Sequence, residues 1–174
     1  MVICTGLVLI LCTVLTPALC RDCLSHYGHY SNISLTLIHN MGGPMTQEDG
    51  PVPFPEKLYR HIRKAEVETQ LIFIRDSLME IASLYRHGNW SSVTWDAIKT
   101  TGFLSSIHRQ IDELNKCVSE HTLQLFTLDS TGGSTACWEW LRKQTQLHLD
   151  QLDLLVNSLR AAARRRSAPT PHQH

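Results

Sequence analysis

After its first twenty residues, the sequence has no apolar run approaching the roughly 18 residues that a helix needs to cross a bilayer. It also lacks the alternation of apolar and polar residues that predicts β-strands. Basic and acidic side chains balance at 16 each, and there is no nucleophile elbow, phosphate loop or paired-carboxylate motif. These absences argue against membrane insertion, a β-sheet fold and catalysis. We predict a protein that is not an enzyme and carries no cofactor.

Histidine is the one residue type that raises a metal-site alternative. His26 and His29 are three residues apart, a spacing that can ligate a metal from one helix. No carboxylate or thiol lies at ligand spacing with them, and the other histidines are scattered. The sequence therefore predicts no metal site.

The first twenty residues predict a secretory signal peptide. They carry no charged side chain, have an apolar centre from Leu7 to Leu15, and end in Ala18-Leu19-Cys20 with small residues at the cleavage positions. The alternative is a buried apolar strand or helix at the N-terminus. We predict residues 1–20 as signal peptide, 21–160 as the folded domain, and an extracellular location.

Cysteine usage follows from this compartment. Removal of residues 1–20 leaves three of the six cysteines, Cys23, Cys117 and Cys137, of which two should pair under oxidising conditions. Spacing alone does not choose among the three pairs. Cleavage after Ala18 would retain Cys20 and give four cysteines, enough for two bridges.

Charge is unevenly distributed along the chain. Residues 21–159 hold 12 bases and 16 acids, a net charge of −4, and four arginines follow at 160, 164, 165 and 166. Residues 161–174 end in a Pro- and His-containing polar stretch, so we predict a disordered basic tail. Binding of heparin or nucleic acid by the arginines is an alternative, and no nucleic-acid partner is predicted.

The longest uninterrupted amphipathic run extends from Ser134 to Leu159 and contains neither Gly nor Pro. Ser134 and Thr135 are candidate N-caps. The predicted core face comprises Cys137, Trp138, Leu141, Thr145, His148, Leu149, Leu152, Leu155, Val156 and Leu159. Arg142, Lys143 and Gln146 are assigned to the opposite, exposed face. Trp140, Leu147 and Leu154 form a second apolar line that requires another element of the fold or a partner.

Four helices account for the rest of the pattern. We predict the first over 24–41, the second over 67–85, a third that begins between 95 and 103 and runs to about Val118, and the run described above as the last. The first connection, 45–64, is a long loop with a short helical turn at 56–63, the second is short, and the third is a crossover. This connectivity predicts an all-α, up-up-down-down four-helix bundle of the helical-cytokine type.

Several blocks resemble fish type I interferons. They are Tyr27-Gly28-His29, Leu35-Thr36-Leu37-Ile38, Met41-Gly42-Gly43, Phe54-Pro55, Leu58-Tyr59-Arg60-His61-Ile62, Ser92-Val93-Thr94-Trp95-Asp96, Leu114-Asn115-Lys116-Cys117-Val118-Ser119 and Cys137-Trp138-Glu139-Trp140-Leu141-Arg142. The resemblance covers nearly the whole mature chain, and it is to the two-cysteine group of these interferons.

The resemblance implies a disulfide between Cys23 and Cys117. Its loop of 94 residues (117 − 23) would contribute about 4–5 kcal/mol in the chain-entropy model. Cys137 matches a family cysteine whose usual partner is absent from the first long loop of this chain. Its place on the core face predicts a buried free thiol, with intermolecular pairing as the alternative.

The resemblance also implies a function. Such proteins are secreted cytokines that bridge two chains of a class II cytokine receptor, which triggers JAK-STAT signalling and antiviral gene induction. The first long loop and the last helix would bind the high-affinity chain, with Arg142, Lys143 and Gln146 as candidate contacts. The protein should be monomeric, without a nucleic-acid partner.

One segment departs from the family pattern. The family's extra helix between the third and last helices has no room in the 19 residues between Cys117 and Cys137. A signalling-impaired variant is therefore one alternative, and a secreted bundle that carries a lipid or other apolar ligand is another. Asn32 and Asn89 begin sequons and are candidate N-glycosylation sites in a secreted chain.

Overall fold

The computed structural model describes residues 24–49, 52–118 and 134–167. Within these ranges the chain forms five helices and no strand: α1 Tyr27–Asn40, α2 Glu56–Ile62, α3 Val67–His87, α4 Ala97–Asn115 and α5 Thr135–Ser167. The predicted signal peptide, Cys23, the shortened crossover and the end of the tail lie outside the described residues. The predicted all-α class is confirmed.

Cross-helix contacts give the direction of each helix. Ser34 of α1 and Met41, directly after it, meet Gln110 and Thr100 of α4, so these two helices are antiparallel. Tyr85 near the end of α3 meets Phe103 edge-on in the first half of α4. Because the link between these helices is short, this pair is antiparallel too.

The last helix completes the bundle. Ile38 and Ser31 of α1 meet Arg142 and Asp153 of α5, which makes α1 and α5 antiparallel. Since α4 is antiparallel to both α1 and α3, the order α1, α3, α4, α5 is up-up-down-down, as predicted.

Apolar stripes of the four long helices meet in the core. Its fully buried members include Leu24, Tyr27, Ile38, Met41, Ile74, Leu78, Tyr85, Phe103, Ile107, Leu114, Leu152 and Val156. Burial of an aliphatic or aromatic side chain stabilises a fold by about 1.5–3 kcal/mol, so these contacts supply most of the driving force. The predicted helical stripes in α3, α4 and α5 all contribute to this core.

Polar caps fix two helix starts. The Asp96 carboxylate accepts a hydrogen bond from the backbone N–H of Lys99 at 3.0 Å, and this bond holds the pKa of Asp96 below its usual range. The Ser134 hydroxyl likewise accepts from the N–H of Cys137 at 3.4 Å. Helix α4 thus begins five residues before Gly102, whose small size allows a close approach by Leu37.

Helix α5 is longer than predicted. It continues to Ser167, and Ala163 is buried, so the expected disordered tail is wrong for residues 161–167. Alanine is the best helix former, and arginines in a last turn interact favourably with the helix dipole, which explains the continuation. No helix in the described part of the chain is both long and apolar enough to cross a membrane.

Candidate functional site

A cluster of aromatic side chains packs at the end of the bundle where α5 begins. Tyr85 stacks against Trp95 at 5.8 Å between ring centroids, and Trp138 meets Trp95 edge-on at 6.0 Å. The Trp138 indole donates a hydrogen bond to the Asn89 carbonyl at 2.8 Å. Gly88 lies directly against the Trp138 ring, so a side chain at that position would displace it. The cluster joins α3, the link to α4, and α5.

Arg142 lies inside this end of the bundle and not on its surface. Its side chain is 0 % exposed, so the predicted exposed position is wrong. Nη1 donates to the carbonyls of Ile38 and His39 at 3.2 and 3.1 Å, and Nη2 donates to Gly43 and Pro44 at 2.7 and 3.4 Å. The guanidinium therefore satisfies the carbonyls where α1 ends and the first long loop begins.

Glu139 supplies the counter-charge. Its Oε2 accepts from Arg142 Nε at 2.9 Å, while its Oε1 accepts from the Trp95 indole at 2.7 Å. Because one carboxylate oxygen serves each partner, Glu139 links the buried cation to the aromatic cluster. Gly42 is also required here, since an added Cβ would lie 2.8 Å from Trp95 and 3.1 Å from Arg142.

The position of Arg142 could have been predicted from helical spacing. It lies four residues after Trp138 and three before Thr145, both of which are buried. At 100° per residue it falls within the core stripe. The sequence interpretation assigned Arg142 to the opposite face of the helix, and the helical phase contradicts that assignment. The partners that a fully buried arginine requires became visible only in the structure.

Lys143 and Gln146 are half-buried on the neighbouring surface of α5. Lys143 Nζ donates to the Glu48 carbonyl at 3.0 Å. Lys143 and Arg142 thus hold two successive parts of the first long loop against the first two turns of α5. The candidate site is this composite surface of loop and helix, with Arg142 beneath it as a positioning residue.

The second apolar line divides into two parts. Leu147 and Leu154 are 38 % and 54 % exposed, while Trp140 is half-buried beside α3. The Trp140 indole N–H is buried without a hydrogen-bond partner among the described residues. The line is therefore covered at its Trp140 end and open to solvent along the rest of the helix.

An apolar groove of about 550 Å³ lies beside Trp140. Its walls come from residues 52–58, from α3 and from α5, and include Val52, Leu58, Phe73, Ile81, Leu84, Trp140 and Leu141. At one end, the Tyr59 hydroxyl and His148 Nδ1 are 2.6 Å apart. Burial lowers the pKa of His148 to about 4, so the imidazole is neutral near pH 7.

The two described cysteines differ in environment. Cys137 is a free thiol and is exposed, so its predicted burial is wrong. It lies in the first turn of α5, before the helix has entered the bundle, and its neighbour Trp138 takes the core position. Cys117 is half-buried just after α4. Because Cys23 lies outside the described residues, its pairing with Cys117 stays a prediction.

Both sequon asparagines are exposed. Asn89 lies in the link after α3, where its side-chain oxygen accepts from the Ser91 hydroxyl at 2.6 Å. Asn32 lies on the outer face of α1. His26, part of the histidine pair, is 3.5 Å from Glu113, and no group of three or more metal-ligating side chains occurs in the described ranges.

An up-up-down-down bundle whose long first loop is fastened to its last helix defines the class of helical cytokines. No protein-family model matches the sequence. Interferon a3 of Oncorhynchus mykiss is 38 % identical over 161 residues, a match that covers 85 % of this chain and 91 % of that protein. The structure of zebrafish interferon 1 matches with a TM-score of 0.66 and 28 % identity, over 80 % of this chain and 99 % of that one. The chain belongs to the type I interferons of fish.

Proposed function

We propose that this protein is a secreted, monomeric cytokine that bridges two class II cytokine receptor chains and thereby induces antiviral genes through JAK-STAT signalling. Family membership supports the proposal, because the relative is matched along 91 % of its length. The observation that carries it is the attachment of the first long loop to α5 by Arg142 and Lys143. This attachment presents loop and helix as one rigid surface, which reduces the ordering cost of binding.

The high-affinity chain binds the surface formed by the first long loop and α5. Lys143 and Gln146 contribute from the helix, and Arg142 acts from beneath by holding the loop. The exposed side chains Leu147 and Leu154 lie further along α5 and supply apolar contact area. The second chain binds α3 and α4, whose outer faces include Met79 and Ile98, 46 % and 85 % exposed.

The covalent features of the secreted form belong to the same proposal. Cys23 pairs with Cys117 and ties the mature N-terminus to the end of α4. Glycans attach at Asn32 and Asn89, both of which are exposed.

The primary experiment treats fish cells with refolded protein spanning residues 21–174 and measures antiviral gene transcripts. Induction that disappears in cells lacking either receptor chain supports the proposal. Binding to the high-affinity ectodomain without induction would instead identify a signalling-impaired variant. No binding to either ectodomain would refute the proposed function.

A pair of charge reversals tests the assignment of surfaces. Lys143→Glu should weaken binding to the high-affinity ectodomain by about 5- to 150-fold, the range expected for loss of 1–3 kcal/mol at an interface. Arg109→Glu makes the same charge change on exposed α4 and should leave that affinity unchanged. Equal losses in both variants would show that net charge, and not the α5 surface, governs binding.

The groove beside Trp140 favours a second candidate function, the carriage of an apolar ligand. It is open, apolar and comparable in volume to small-molecule sites. Native mass spectrometry of the secreted protein tests this candidate directly. A stoichiometric lipid that is released by Leu84→Trp, which fills the groove, would support it, while protein purified without bound lipid would refute it.

A further inference from the structure

Basic side chains gather at the end of the bundle where α5 ends. The contact from Arg63 to Gln151 places the exit of α2 against the middle of α5, from which the helix runs on to the arginines of its last turns. Six exposed side chains from these two elements form what we call the basic end: Arg60, Arg63, Lys64, Arg164, Arg165 and Arg166. Arg160 of α5 is half-buried, and its guanidinium lies against Gly28 of α1. Helix α1 therefore borders the same surface.

The segments that carry the basic end, and α1 beside them, contain no acidic residue. There is none in 24–47, in 57–65 or in 154–167. The acids nearest in the chain are Glu66, at the start of α3, and Asp153. The Asp153 carboxylate is occupied by hydrogen bonds from Ser31 and Asn157. The positive charges of the basic end are therefore not offset within their own segments, and the nearest acids lie at its margins.

Some basic residues elsewhere in the chain are paired with acids. In the described ranges Arg75, Lys99, Lys116 and Arg142 each form an ion pair with a neighbouring acid. No ion pair recorded there includes a member of the basic end. Helix dipoles favour cations only within the last turn and by about 0.3–1 kcal/mol each, which does not balance two groups of three charges. An anionic partner would.

The basic end is long and narrow. From Gln151, beside Arg63, to Arg165 is 14 residues of α5, or about 21 Å at 1.5 Å per residue. Phosphate or another small anion would contact only part of this length. An extended polyanion with regularly spaced charges fits all of it. Tyr59, the one Phe, Tyr or Trp residue of 57–65 and 154–167, is buried, so His61 is the one exposed aromatic ring there on which a nucleic-acid base could stack.

We propose that the basic end binds a sulfated glycosaminoglycan of the cell surface or extracellular matrix. The inference rests on the proposed secretion of the protein, which brings it into contact with such polysaccharides. Because the whole chain carries no net charge, binding depends on this local concentration of arginine and lysine. It retains the cytokine near cells, on a surface separate from the start of α5 that holds the first long loop.

Heparin of defined length is the probe, with the refolded chain of residues 21–174 at about 0.15 M salt. Arg165→Gln/Arg166→Gln and Arg60→Gln/Lys64→Gln should each weaken binding by about 25-fold, from roughly 5-fold for each charge lost near a polyanion. The control Arg86→Gln/Arg109→Gln removes two exposed charges from α3 and α4 and should change affinity less than 2-fold. Thermal melts verify that all three variants fold.

Three results would overturn the proposal: an equal loss in the control, unchanged binding to desulfated heparin, or tighter binding to double-stranded nucleic acid of the same length. A separate assay distinguishes this proposal from the proposed function. In cells that lack glycosaminoglycans, Arg165→Gln/Arg166→Gln should induce antiviral genes as well as the unmodified protein does. Heparin binding without any induction by the unmodified protein would reject the cytokine function and leave the binding surface intact.

Discussion

Replacement of Arg142 by alanine should destabilise the protein by about 3–5 kcal/mol, the cost of breaking a buried ion pair by removing one partner. The change removes the partner of Glu139 and leaves the carbonyls of Ile38, His39 and Gly43 without their donor. Each such buried group costs about 1–3 kcal/mol when it is left unsatisfied. Added together, the costs of the unsatisfied groups exceed about 3–5 kcal/mol. We therefore expect the side chains around the vacated site to relax and water to enter it, which lowers the net cost to that range.

The free energy of unfolding measured in urea decides this prediction. Arg142→Lys keeps the charge but not the planar fork, so it should fall between the alanine variant and the unmodified protein. Lys143→Ala is the matched control, because this neighbouring cation has one exposed contact and should cost less than about 1 kcal/mol. If Arg142→Ala unfolds within 1 kcal/mol of the unmodified protein, the proposed anchoring of the loop by this side chain is wrong.

Three further predictions follow from the same structure. Gly42→Ala and Gly88→Ala should each lower the free energy of unfolding by about 1–3 kcal/mol, because the added methyl groups collide with Trp95 and Trp138. Gly43 faces open space, so Gly43→Ala should unfold as the unmodified protein does. Equal thermal melts for all three variants would contradict the close packing. The free energy of unfolding should fall by at most about 3 kcal/mol as the pH drops from 6.5 to about 4, because His148 binds a proton in the unfolded chain but not when it is buried. His148→Gln should flatten this part of the pH profile. Non-reducing peptide mapping should recover a Cys23–Cys117 peptide while exposed Cys137 reacts with alkylating reagent without denaturant, and a bridge that includes Cys137 would refute that pairing.

Much of the fold could be predicted from the periodicity of apolar residues. The regular spacing of Leu71, Ile74, Leu78 and Ile81 indicates α3 because one face of a helix must be apolar if it packs on a core. The lengths of the connections then restricted the order of the helices, since a short link makes neighbours antiparallel and a long one allows them to run parallel. Both inferences use only residue spacing and connection length, which a single sequence provides.

The end of α5 was harder to predict. Residues 161–167 have a helix-forming composition, but the polar, Pro- and His-containing end of the chain suggested a solvated tail. Ala163 packs against the bundle, and this burial helps to extend the helix. Tertiary contact overrode that expectation, because most helical stability in proteins comes from packing.

The sequence by itself determined the helical class, the order of the elements and the family, because each depends on residue spacing and on motifs. Only the tertiary structure decided which groups pair with Arg142 and where Cys137 lies. A polar side chain on a core stripe is stable when distant groups meet its hydrogen-bonding needs, and the carbonyls that meet those of Arg142 are about 100 residues away in the chain. No local sequence pattern predicts these long-range hydrogen bonds. The thiol of Cys137 is exposed for the complementary reason, because its turn of α5 lies where the bundle ends and none of the five described helices covers it.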